Sequence, residues 1–111
     1  MEEFIKGDIV VIPFPYSDLS NSKRRPALVL SNLRGDDIIL CQITSKNVKD
    51  NYAIPIDEKS FVKGSLNQLS NIRPNRIFTA DKHIIIRTVG RINKEVYRKV
   101  SEKIFQLIAL D

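Results

Sequence analysis

Residues 26–44 read Pro26-Ala27-Leu28-Val29-Leu30-Ser31, then Asn32-Leu33-Arg34-Gly35-Asp36-Asp37, then Ile38-Ile39-Leu40-Cys41-Gln42-Ile43-Thr44. The first run is aliphatic and starts on a proline that fixes its entry. The second gathers Asn, Gly and Asp, the residues of turns. The third is apolar at nearly every position, with no alternation, which predicts a strand buried on both faces. Strand, turn, strand is the reading from which the rest of the chain follows.

Upstream, Asp8-Ile9-Val10-Val11-Ile12-Pro13-Phe14 is a second β-branched run, with Pro13 and Pro15 expected to close it. Tyr16 to Arg24 (YSDLSNSKR) predicts a polar loop. Downstream, residues 46–51 form a polar connection and Tyr52 to Ile56 a short strand. Residues 59–71 have no clear period and are punctuated by Gly64, while Ile72 to Thr79 and Ile84 to Ile92 read as late strands. At Asn93 the period changes. Asn93 is a good N-cap, Glu95 suits the positive end of a helix dipole, and Val96, Val100, Ile104, Leu107 and Ile108 recur at helical spacing. Short strands followed by one helix predict a mainly β fold, a small SH3-like antiparallel β-barrel with a C-terminal amphipathic helix.

The 111 residues suit one domain spanning 1–111, with 42% hydrophobic and 28% charged residues placing it among globular chains. Burying roughly two-thirds of its unfolded surface, a chain of this size folds without a disulfide or metal staple. No apolar run approaches the ~20 residues of a membrane span, and no signal-peptide pattern is present, so the expected location is cytoplasmic. Cys41 and His83 are each the only residue of their kind, which excludes an internal disulfide and a Cys/His zinc site. The net charge of +5 is uneven: residues 1–58 carry seven Lys/Arg against nine Asp/Glu, and residues 59–111 carry eleven against four. A one-sided basic field attracts polyanions, so nucleic acid or an acidic protein is the expected ligand.

Three segments carry a resemblance: Gly7-Asp8-Ile9-Val10, Arg24-Arg25-Pro26-Ala27-Leu28-Val29-Leu30-Ser31-Asn32, and Gln42-Ile43-Thr44-Ser45-Lys46. With Asp81-Lys82 and Val89-Gly90-Arg91-Ile92, they follow the order and spacing of the MazF/PemK toxins of bacterial toxin–antitoxin systems, which the chain resembles over essentially its whole length. The resemblance implies a homodimer, metal-independent cleavage of single-stranded RNA with no cofactor, and neutralisation by a cognate antitoxin. That antitoxin is expected to be acidic and partly disordered, folding over the basic face; the pair is a candidate operator-DNA binder, and no membrane partner is expected.

Arg25 reads in two ways. It is a surface arginine bracing the loop before a strand, or a guanidinium aimed at a scissile phosphate, whose geometry and permanent charge suit the charge that develops on cleavage. The family's catalytic arginine falls on Arg25 and its catalytic threonine on Thr44. Thr44 otherwise reads as a β-former whose hydroxyl caps a neighbouring backbone group. Lys23, Arg24, Ser45, Lys46, Arg73 and Tyr16 are expected to bind RNA, Lys23 and Arg24 by tracking its backbone, Ser45 in support of Thr44, and Tyr16 by stacking on a base. Phe14 reads mainly as core. His83 and Asp81 read as turn residues and Cys41 as inert core.

RNA brings its own 2′-hydroxyl nucleophile, so a protein need only align it, stabilise charge and manage protons, giving a 2′,3′-cyclic phosphate and a 5′-hydroxyl. One departure from the family pattern stands out: the acidic residue some members carry after the late-strand arginine is Asn75 here. The alternatives are a same-fold toxin that acts by binding protein, as gyrase poisons do through the C-terminal helix, and a non-catalytic nucleic-acid-binding barrel.

Overall fold

A computed structural model describes residues 3–14 and 23–110. The hairpin at its centre pairs β2 (Lys23–Asn32) with β3 (Asp37–Thr44), and β1 (Asp8–Phe14) lies on the other side of β2. The remaining strands are β4 (Ile54–Ile56), β5 (Phe61–Gly64), β6 (Ser70–Asp81) and β7 (Arg87–Ile92), followed by helix α1 (Lys94–Ile108). All pairings are antiparallel, in the order β4-β6-β3-β2-β1-β7-β5, and the sheet curls into a half-barrel. Mainly β, with SH3-like proportions and one C-terminal helix, this is the architecture the strand spacing predicts.

The unbroken apolar run of β3 is explained by two cores. Leu40 and Cys41 are consecutive, so they point to opposite faces, and both are fully buried. On one face Ile9, Leu28, Cys41, Ile43 and Ile72 meet Val96, Tyr97, Val100 and Ile104 of the helix side. On the other, Val10, Ile12, Ala27, Val29, Ile38 and Leu40 are covered by Phe4, Phe14, Phe78 and Ile84. Each such aliphatic side chain contributes about 1.5–3 kcal/mol by leaving water.

The Gly7-Asp8 pair ties this sheet together. Gly7 adopts φ +98°, donates its N–H to the Val29 carbonyl at 3.0 Å and accepts from Ile92 N at 3.0 Å. The Asp8 carboxylate, only 4% exposed, accepts from Arg91 Nε at 2.8 Å and Ile5 N at 3.0 Å.

Several boundaries move. Pro13 does not close β1 but pairs with Arg24, while the β7 ladder on the other side stops at Val11, so no donor is needed there. Lys23 and Arg24 therefore lie in a strand, not a loop. Residues 59–71 resolve into part of a 3₁₀ turn (Glu58–Ser60), β5, a connection and the first two residues of β6. Ile84 to Ile86 precede β7, because Asp81 caps a 3₁₀ turn over Lys82–Ile84. Asn93 caps α1 by accepting from Val96 N at 2.8 Å. The helix buries Val100, but Ile108 is 73% exposed and Phe105 68%. The apolar stripe thus outruns the sheet beneath it, and Leu107 and Ile108 do not join the core.

Candidate active site

The β2/β3 register sets the relation between Arg25 and Thr44. The ladder's last pair is Ala27 with Gln42, and Arg25 and Thr44 each lie two residues beyond it on their own strands. A step of two keeps a side chain on its face, so both project from the face of Ala27 and Gln42. They line one cleft of about 570 Å³.

The cleft's other walls come from β1, the β3–β4 connection and β6. Lys23, Arg25, Lys46, Lys49, Arg73 and Arg76 line it, with Asp50 as the one acidic side chain among the described lining residues. Four of these six cations come from the first half of the chain, which is net acidic in sequence. The basic field at the site is therefore a product of folding, not of the +7 segment alone.

Thr44 Oγ1 accepts from Lys46 N at 3.2 Å. The capping role and the site role coexist, since the hydroxyl still has its proton to donate into the cleft. Arg25 is half-buried and makes no ion pair with any described residue. Arg24 and Ser45 line a second, smaller hollow on the far side of Arg25, with Arg87, Asn67 and Gln68. Of the expected RNA contacts, Lys23, Lys46 and Arg73 thus gather with Arg25 and Thr44, while Arg24 and Ser45 face the adjoining hollow. Tyr16 lies outside the described residues. Phe14 packs against Phe78, ring centroids 6.0 Å apart, and its edge also lines the cleft.

Arg73 is presented by a bulge. Between the pairs Cys41↔Ile77 and Ile43↔Ile72, residues 73–76 of β6 face Gln42 alone. Pro74 explains it: having no N–H it suits a bulge, and it is fully buried there. Cys41 Sγ donates to the carbonyl of Arg73 at 2.9 Å. Cys41 is inert, as expected, with burial pushing its thiol up to about 12 against the smaller opposing effect of that hydrogen bond. Asn75 is exposed and does not line the cleft.

One carboxylate does reach the cleft, from the β3–β4 connection. Asp50 Oδ2 accepts from Arg73 Nη2 at 2.8 Å, while its Oδ1 accepts from Tyr52 N at 3.0 Å and Ala53 N at 3.1 Å. Desolvation raises the Asp50 carboxyl, but the two amides and the Arg73 guanidinium together hold it below the usual carboxylate value. Arg73 Nε is buried and has no partner among the described residues. An unmet donor of that kind costs about 1–3 kcal/mol. Asp50, Lys49 and Arg76 escaped the sequence reading. The available signals were the Asp-Asn-Tyr spacing of an Asx turn and a proline inside a strand.

At the opposite end of β3, Asp36, Asp81 and His83 bring possible ligand atoms within 4.8 Å of one another. All three are exposed, and Asp81 Oδ1 accepts from His83 N at 2.8 Å and meets its Nδ1 at 2.6 Å. This is turn chemistry, as the sequence predicts.

A family described as PemK-like, MazF-like toxin of type II toxin–antitoxin system matches residues 5–108. This chain belongs to that family. Among solved structures, a mycobacterial endoribonuclease in complex with its cognate antitoxin is similar over 100% of this chain and 98% of its own, with a TM-score of 0.73 at 14% identity. A chain of a MazE–MazF crystal structure from Deinococcus radiodurans gives 0.74 at 18% identity over 96% of each chain. The Mycobacterium tuberculosis toxin MazF-mt6 gives 0.69 at 19% identity, covering 92% of this chain and 98% of that one. At such identities these likenesses speak for the PemK/MazF fold. Curated protein sequences contain no match.

Proposed function

We propose that this toxin-family chain is an endoribonuclease that cuts single-stranded RNA, with Arg25 and Thr44 as its catalytic residues. The observation that carries the reading is their placement on one face at the end of the β2/β3 ladder, inside a cleft lined by six cations. Family membership and the endoribonuclease activity of the mycobacterial neighbour support it.

Arg25 binds the scissile phosphate and stabilises the charge that builds on its oxygens. Thr44 keeps its proton and donates a hydrogen bond from its hydroxyl to a non-bridging oxygen. The substrate's 2′-oxygen gives up its proton to solvent water as it bonds to phosphorus, the bond from phosphorus to the 5′-oxygen breaks, and that oxygen takes a proton from water and leaves as a 5′-hydroxyl. A 2′,3′-cyclic phosphate remains, and no metal enters the step. The other cations hold flanking phosphates.

Purified protein should cut single-stranded RNA in EDTA to cyclic-phosphate ends and leave the DNA of the same sequence whole. Arg25→Ala and Thr44→Ala should each lose about 100-fold or more in rate, the size expected for removing a transition-state donor. Full activity of Arg25→Ala would falsify the assignment. Cleavage that stops in EDTA and returns with a divalent cation would remove the metal-free mechanism.

The partners belong to the same proposal. An acidic antitoxin segment fits a cleft of this charge and would compete with RNA; the neighbours solved with antitoxin support it. A homodimer is supported by the exposed Phe105, Ile108 and Leu110, and light scattering should give about twice 12.7 kDa. Among the described residues no helix is long and apolar enough to cross a membrane.

A further inference from the structure

Asp50 sits in an anionic substrate's path, where a negative charge is unfavourable unless it does something else. Two roles are open to a carboxylate in a nuclease cleft. A general base works best with a pKa near the operating pH. Asp50 is the reverse, ionised firmly and tied to a guanidinium and two amides. Its oxygens are divided between tasks: Oδ1 orders the β3–β4 connection and Oδ2 holds Arg73 Nη2 at 2.8 Å.

The opposite side of the same arginine is equally fixed. Its carbonyl accepts from Cys41 Sγ at 2.9 Å, and its side chain, 18% exposed, lines the cleft with Nε buried and without a partner among the described residues. An arginine clamped at its backbone and at one terminal nitrogen loses little further freedom on binding. It presents its remaining donors in one orientation, the arrangement that suits a phosphate.

We propose that Asp50 is a positioning residue that holds Arg73 as a second phosphate clamp, for the RNA phosphate next to the one at Arg25. The inference rests on the RNA reading above and names a separate subsite within it. Arg25 takes the phosphate that reacts, and Arg73 fixes its neighbour and so aligns the strand across Thr44.

The signs of two effects separate this role from its rivals. Asp50→Asn removes one negative charge from the cleft, so charge alone would tighten RNA binding. Loss of the clamp would loosen it. The variant keeps an oxygen for the Tyr52 and Ala53 amides, so the connection stays folded. The probe is a single-stranded RNA oligomer carrying 2′-O-methyl groups, which binds without being cut, followed by fluorescence anisotropy at fixed salt. Asp50→Asn should weaken it by about three- to tenfold and Arg73→Ala by about tenfold, as befits one charge-assisted contact. Adding Asp50→Asn to Arg73→Ala should change nothing more, because the clamp is already gone. Equal or tighter binding by Asp50→Asn overturns the proposal. So does an unchanged affinity for the oligomer with a large loss of kcat on cleavable RNA, the signature of a general base. If the unaltered protein does not bind the oligomer, the RNA reading itself fails and this subsite with it. Binding without cleavage of the unmodified RNA would remove the nuclease reading while leaving the clamp measurable.

Discussion

Asp50 and Cys41 show how a single side chain's surroundings decide what it does. The two amides and the guanidinium around Asp50 favour its charged form, so its pKa falls despite the desolvation that pushes the other way. A group whose folded pKa is depressed contributes stability above its unfolded pKa and loses it as pH falls through the folded value. The Arg73 clamp is therefore intact throughout the neutral range, and RNA affinity should be flat from about pH 5 to 8 as far as this group is concerned. A titrating acid limb near pH 6 in the anisotropy of the oligomer would contradict that. Cys41 is the opposite case. Burial raises its thiol to about 12, so almost no thiolate exists at neutral pH. Iodoacetamide at about pH 8 should leave the native protein unlabelled and react promptly once urea unfolds it. Labelling at equal rates in both states would mean that Cys41 is not held in the core.

The strands and the helix were legible in the sequence to different degrees, and the reasons are physical. β1, β2, β3 and α1 announce themselves because their burial pattern is written in consecutive apolar residues or in a helical period. The stretch over residues 59–71 does not, because β5 is an edge strand of four residues and mostly exposed. Its pairing instead depends on two glycines, Gly64 and Gly90, that face each other across the β5/β7 ladder. Gly64 has φ +70°, and a Cβ there would lie 2.1 Å from the Val89 carbonyl oxygen. Gly64→Ala should therefore destabilise the protein by about 2–4 kcal/mol, read as a shift in the urea midpoint with an unchanged slope. A shift of less than half a unit of that energy would show that β5 can move off β7 at little cost. The β6 bulge was hidden for a related reason. Pro74 flagged an irregularity, but which residues it would swing into the cleft depends on the β3 register, a long-range fact. So Arg73 was found by resemblance, whereas Asp50 and Arg76 needed the fold.

The molecule as a whole rearranges its charge. A count along the chain puts the excess on residues 59–111, yet four of the six cations at the cleft come from the other half. Folding brings Lys23 and Arg25 at the start of β2, Lys46 and Lys49 after β3, and Arg73 and Arg76 of β6 to one end of the sheet. Asp50 apart, acidic residues of the first half lie away from the cleft: Asp8 is buried against Arg91, and Asp36 and Asp37 sit at the far end of β3. A concentrated field of this kind binds by releasing counterions, which for a single strand gives a slope of about −0.7 per phosphate neutralised in a log–log plot of affinity against salt. With four to five phosphates engaged by the six cations, the oligomer should show a slope of about −3. Arg73→Ala should make it shallower by about 0.7, whereas removing a basic side chain of α1 such as Lys99, which does not line the cleft, should leave it unchanged. A slope near −1, or one that responds equally to Lys99 and Arg73, would mean that RNA is held by the diffuse charge of the whole surface and not by the cleft.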